Sequence, residues 1–154
     1  MGFGHRIGGK KTAKLYITTS SKSSAWTPQN VTNSGSTLVW KATGGITQTI
    51  IANKPTFNLS AATGDVYFEV SNVSGLTRLD VYSLNIKYID VSKAVNLTLL
   101  YCYSNQLTAL NVTNNTKLTT LHCYSNQLTA LDITNNTLLT TLYRDWETDR
   151  KSVV

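Results

Sequence analysis

The chain has 154 residues, of which 14% are charged, and a formal charge of +6. That length suits one domain or two small ones sharing an interface, and no stretch approaches the ~20 apolar residues of a membrane helix. The charge is local: residues 1–14 hold four basic side chains and no acid, residues 15–143 seven basic and five acidic, residues 144–154 three of each. A phosphate-binding groove needs basic residues clustered on the folded surface, so no nucleic-acid partner is expected. Thr, Asn, Ser and Leu are abundant, a composition for strands and hydrogen-bonded turns and not for helices.

Residues 1–12 read as a flexible basic head. No apolar run of ~7–15 residues follows the basic positions, so no secretory signal is expected within this chain. Gly4, Gly9 and Lys10 come close to a phosphate loop. Lys11 stands where Ser or Thr is required, however, and no strand precedes the run.

Residues 13–75 alternate apolar and polar positions in five stretches, AKLYITT, STLVWKA, TQTIIAN, PTFNLSA and DVYFEVS. Turn signals at Asn53-Lys54-Pro55 and Thr63-Gly64-Asp65 separate them, so each is expected to be a short strand. Trp40, the Gly44-Gly45 pair, Pro55 and the G-x-V-Y-x-x-V-S-N ending at Asn72 weakly resemble immunoglobulin-like surface domains of the PKD type. The acidic turn common in that family is absent. The expected arrangement is a β-rich N-terminal cap that pairs with the first coil of residues 76–143, with an independent small sandwich as the alternative.

Residues 76–143 repeat. LLYCYSNQLTALNVTNNTKLTT (99–120) is followed by TLHCYSNQLTALDITNNTLLTT (120–141), an offset of 21 residues. The offset maps Cys102 to Cys123, Asn105 to Asn126, Leu107 to Leu128 and Leu110 to Leu131. A degenerate copy precedes them, with Val81 at the Cys position, and with Leu84 and Ala94 where Asn residues stand later. Leu97, Leu100, Cys102, Asn105 and Leu107, then Leu118, Leu121, Cys123, Asn126 and Leu128, resemble the leucine-rich-repeat family, whose units run ~20–29 residues. Leu107, Leu110, Val112 and Asn115 repeat the same grammar within the unit, as in the nested 21-residue class of bacterial leucine-rich repeats. The resemblance implies a mainly β solenoid of parallel coils with little or no helix. Two short strands per coil are expected.

Strand side chains alternate. Leu100, Cys102, Asn105, Leu107, Leu121, Cys123, Asn126 and Leu128 are therefore expected to form an inward ladder. Asn amides there would satisfy backbone groups of neighbouring coils. Tyr82, Tyr101, Tyr103, His122, Tyr124 and Tyr143 are expected to share one outward face, since tyrosine supplies rigid amphipathic contact area. The opposite face, with Tyr88, Ala109 and Ala130, then Asp90, Asn111 and Asp132, is smaller and blander. From Arg144, which stands where a third Cys is due, the period is lost. The run RDWETDRKSVV resembles the conceptual translation of a sequencing adapter. On that reading residues 144–154 are foreign to the fold, and the repeats continue beyond them.

No catalytic residues can be assembled. The histidines are His5 and His122 alone, acids are sparse, and no nucleophile has a base beside it. His122 and Cys123 point to opposite faces and cannot share an ion, so neither metal nor cofactor is expected. The cysteines read as core. The function implied is a non-catalytic, monomeric binding or adhesion module of a bacterial cell-surface or secreted protein, engaging a protein or glycan. A structural or host-recognition part of a phage particle is the alternative.

Overall fold

Alternation decides where most strands form. In Lys14–Thr19 (β1), Leu15, Ile17 and Thr19 face inward while Tyr16 is exposed. The same pattern builds Val39–Thr43 (β3) and Val66–Ser71 (β5). Asn30–Asn33 (β2) and Gln48–Ile51 (β4) complete the N-terminal strands. A short 3-10 turn, Val73–Gly75, leads into Leu76–Asp80 (β6) and Ile86–Asp90 (β7). Three short strands follow, Leu99–Tyr101 (β8), Thr120–His122 (β9) and Thr141–Tyr143 (β10). The structure is a computed structural model that describes residues 12–44 and 46–145. The near-miss loop from Gly4 to Lys11, Gly45 and the tail beyond Asp145 lie outside the described residues. No helix among the described residues is long and apolar enough to cross a membrane.

The protein is mainly β, with two five-stranded sheets among the described residues. The first has the order β4-β3-β5-β1-β7 and is antiparallel throughout. Its inner face buries Leu15, Ile17, Trp40, Ala42, Phe68 and Val70. Trp26 and Phe57 join that layer from the connections: Trp26 stacks on Phe68 at 4.3 Å and meets Trp40 and Phe57 edge-on at 6.4 Å each. Aromatic groups in such offset and T-shaped pairs add stability beyond the area they bury.

The second sheet has the order β10-β9-β8-β6-β2. β6, β8, β9 and β10 run parallel, and their register equals the repeat: Leu79 pairs with Leu100, Leu100 with Leu121, and Leu121 with Leu142. Identical residues thus stack on one another, and Leu79, Val81, Leu100, Cys102, Leu121 and Cys123 become one buried column set.

The two sheets share the first repeat unit. β6 belongs to the second sheet, where β2 pairs with it antiparallel. β7 crosses to the first sheet and pairs with β1. Ser34 N donates to Gly75 O at 2.9 Å where the chain around Gly35 passes over the 3-10 turn. A Cβ at Gly75 would collide with the Gly35 backbone, which is why glycine stands there.

Three strand expectations are corrected. PTFNLSA forms no strand. Phe57 and Leu59 are buried, but the segment makes a single isolated bridge, Phe57 to Trp26, and Asn58 turns the chain by accepting from Ser60 N at 3.1 Å. NVTN was not expected to form a strand, because one apolar residue among polar ones carries no period. It becomes β2 by pairing at the edge of β6. Two strands per unit occur only in the first unit among the described residues, as β6 and β7. In the later units the return side is held by single bonds, Gln106 N to Ile86 O and Gln127 N to Leu107 O, both 2.8 Å, and by asparagine side chains.

Candidate functional site

Tyr101 and His122 are the last residues of β8 and β9, and the chain stays extended for two more residues before it turns. The turn is made by Ser83, Ser104 and Ser125, all left-handed with φ of 53 to 55° and spaced by the repeat. Left-handed backbone is unfavourable for a non-glycine residue, and the next asparagine fastens it. Asn105 Nδ2 donates to Val81 O at 2.8 Å and Cys102 O at 3.0 Å, and its Oδ1 accepts from Leu84 N and Ile86 N, both at 3.0 Å. Asn126 repeats this one unit later, reaching Cys102 O and Cys123 O at 3.0 Å and accepting from Leu107 N. The corner fixes where each tyrosine beside it projects.

The six aromatic residues singled out from the sequence come together as two columns. In one, Tyr82, Tyr103 and Tyr124 stack face to face, 4.5 and 4.6 Å apart with planes 7° from parallel. In the other, Tyr101 stacks on His122 at 4.2 Å, and His122 meets Tyr143 edge-on at 4.5 Å. The separations follow from the ~4.8 Å spacing of paired strands. Stacking uses up the ring faces inside each column, so ring edges and hydroxyls are what the surface presents. Five of the six residues are half-buried, and Tyr143 is 57% exposed.

The foot of the second column was not legible as such. Arg78, two residues before Asp80 in β6, holds the Asp80 carboxylate through Nη2 at 2.7 Å and Nε at 3.1 Å, and its guanidinium lies over the Tyr101 ring at 5.4 Å. Asp80 pairs in register with Tyr101 and so shares the outward face of the sheet. It is 3% exposed, covered by this arginine. The R-x-D spacing within one strand puts both side chains on one face, and that was the available signal. The hydrogen bond to Asp80 raises the Arg78 pKa.

Burial lowers the His122 pKa, with Asp80 opposing, which favours the neutral imidazole at physiological pH; its Nε2 has no hydrogen-bond partner among the described residues. Burial and the neighbouring Tyr82 and Tyr124 raise the Tyr103 phenol, so that phenol stays protonated. At the last unit, His122, Tyr124, Tyr143 and Arg144 line a pocket of about 370 Å³. The Asp145 carboxylate beside it accepts from the backbone of Ser125 and Asn126.

The inward residues are placed by the same alternation. Leu100, Cys102, Leu107, Leu121 and Cys123 are buried; Asn105 and Asn126 are half-buried at the corners. Leu128, expected within the core ladder, is only partly buried, because it belongs to the last described unit and lacks a described neighbour on its far side. On the opposite face, Asn111 and Asp132 serve as turn formers. Their Oδ1 atoms accept from Thr113 N at 3.0 Å and Thr134 N at 2.9 Å, and the latter bond lowers the Asp132 pKa.

Both cysteines are buried and free. Burial pushes the Cys123 thiol up to about 12 and the Cys102 thiol well above its ordinary range. Alkylation of either in the native protein at pH 8 is expected to run at least about a hundredfold slower than for a small free thiol, because the thiolate is the reactive form. Cys102→Ser and Cys123→Ser should each cost roughly 1–3 kcal/mol in urea unfolding, since a hydroxyl enters an apolar column without a partner. Fast labelling of both thiols would mean that the strand faces are reversed. Among the described residues, no three His, Cys, Asp or Glu side chains gather as metal ligands.

No family model and no curated protein matches the chain. Among solved structures it is similar to the functional domain of InlJ from Listeria monocytogenes, which is described as including a cysteine ladder. The identity is 42% and the TM-score 0.45, over 48% of this chain. The match spans 17% of the length of that neighbour.

Proposed function

We propose that residues 76–143 are a leucine-rich-repeat solenoid of the nested 21-residue bacterial class, that residues 13–75 cap it, and that the protein is a non-catalytic binding or adhesion module of a bacterial cell-surface or secreted protein. The observation that carries this reading is the pair of aromatic columns. Stacking of successive units does not require rings: in the corresponding outward column on the other side, Tyr88 is followed by Ala109 and Ala130. Aromatic residues concentrated on one face therefore argue for contact with a partner, where Tyr side chains offer large area at low conformational cost. Because the ring faces inside the columns are occupied, the surface offers edges and a line of neutral hydroxyls. That suits the mixed polar and apolar surface of a protein.

The test is quantitative capture of host-surface proteins on the immobilised chain. Tyr103→Ala and Tyr124→Ala are expected to weaken capture of the bound protein by about tenfold or more, while Asn111→Ala leaves it unchanged. Loss with Asn111→Ala and retention with both tyrosine variants would make the columns purely structural.

A further inference from the structure

Three other tyrosines sit on the outward face of the first sheet, away from the columns. Thr18 of β1 pairs with Tyr67 on one side and Tyr88 on the other, and Tyr67 pairs in turn with Thr43. Directly paired residues share a face, so these four make one row across β3, β5, β1 and β7. Two residues along, Glu69 pairs with Lys41 and with Tyr16, and Tyr16 with Asp90, which makes a second outward row. Between the rows Phe68, Ile17 and Ile89 point into the core.

Tyr67 and Tyr88 thus stand two strand spacings apart, about 10 Å, with Thr18 between them and Tyr16 one step to the side. Tyr16, Tyr67 and Tyr88 are 41%, 54% and 52% exposed. None of these three rings packs on another ring among the described residues, in contrast to the columns. Their rings are about half open to solvent, with Tyr67 beside Gly44. Tyr16, Lys41, Thr43, Tyr67 and Glu69 enclose a depression of about 210 Å³.

Charge on this face is balanced. Lys14 pairs with Glu69 at 2.9 Å and Lys87 with Asp65 at 3.0 Å, while Lys41 on β3 and Asp90 on β7 add one charge of each sign. An acidic polymer would find no basic excess. A peptide adding as a strand needs a free sheet edge, and β5 and β1 are interior strands.

We propose that this face binds a neutral β-linked polysaccharide lying across the strands. The apolar C–H face of a pyranose packs on a phenol ring, and the separation of Tyr67 from Tyr88 matches roughly the length of two pyranoses in an extended β-linked chain. Alternate sugars then present the same face to the two rings. Sugar hydroxyls meet Thr18 between the two rings, and Thr43 and Lys41 beside Tyr67. The site is independent of the aromatic columns and does not rest on the reading given to them.

The experiment is titration calorimetry of the full chain with cellohexaose and chitohexaose, alongside maltohexaose, heparin and a proline-rich peptide. One or both β-linked hexaoses are expected to bind. Tyr67→Ala and Tyr88→Ala should each weaken that binding by about tenfold or more without altering the circular dichroism. Tyr103→Ala, in the column, should leave it unchanged. If Tyr67→Ala fails to fold, Tyr88→Ala and Tyr16→Ala on other strands carry the same test. The proposal is overturned if neither β-linked hexaose binds at millimolar concentration, or if binding survives these substitutions. Preference for heparin, the curved maltohexaose or the peptide overturns it equally.

Discussion

Trp26→Ala is expected to destabilise the protein by about 3–5 kcal/mol, the range for deleting a buried large aromatic side chain. Trp26 is fully buried and touches Trp40, Phe57 and Phe68. Its Nε1 also donates to Leu84 O at 3.4 Å, and its backbone exchanges hydrogen bonds with Phe57 at 2.9 and 2.8 Å. One side chain therefore ties the N-terminal aromatic cluster to the first repeat unit, and removal leaves a cavity that neighbouring rings cannot fill without losing their own contacts. Since domains are stable by only about 5–15 kcal/mol, the variant should unfold at far lower urea than the parent, followed by circular dichroism. Tyr16→Ala, exposed on the same sheet, should stay within about 0.5 kcal/mol. A Trp26→Ala loss below about 1 kcal/mol, the ordinary effect of any substitution, would mean that the cluster is not a shared core.

Asn115→Ala should cost about 1–3 kcal/mol, the loss of two hydrogen bonds made in a buried site. The Asn115 amide is fully buried and donates to Val91 O at 3.0 Å and to Ala94 O at 2.9 Å, both in the preceding unit. Val91 O and Ala94 O keep the backbone bonds they accept from Ala94 N and Leu97 N, so the substitution removes one of two bonds at each, together with the buried side chain that links the units. Asn136 makes the equivalent bonds to Val112 O and Asn115 O at 2.9 Å, but on the last described unit, whose Leu131, Ile133 and Leu139 are only partly buried. Its replacement should therefore cost less, because its surroundings are less buried. Urea titrations of the two variants give the comparison, and a larger loss for Asn136→Ala would contradict an asparagine ladder that gains strength with burial.

Much of the repeat region could be read from residue order. Cys102 and Cys123, Leu100 and Leu121, and Asn105 and Asn126 sit at one offset, and parallel stacking in that offset is the arrangement that lets every unit bury the same side chains. Alternation along a strand then sends Tyr101 and His122 outward once Leu100 and Leu121 point in. The left-handed serines were missed, since Ser gives no local sign of it; the sign was the asparagine after each of Ser104 and Ser125. The N-terminal region was less legible. PTFNLSA has the alternation of a strand and is not one, while Asn30–Asn33 lacks it and is one. For short segments, what the chain finds to pair with outweighs propensity.

The residue order by itself determined the repeat, its period, its inward column and the face on which Tyr82, Tyr103 and Tyr124 lie, because a strict period leaves one register that buries the apolar residues. Only the tertiary structure decided which ring faces are used and which are free. Tyr103 is sandwiched because its neighbours are copies of itself one unit away. Tyr16, Tyr67 and Tyr88 share a surface because β1 inserts between β5 and β7, strands far from it along the chain. Asp80, on the outward face beside Tyr101, became buried under Arg78 through the same kind of decision. Pairings between distant segments are set by which contacts the whole fold can satisfy together, and no local pattern encodes them.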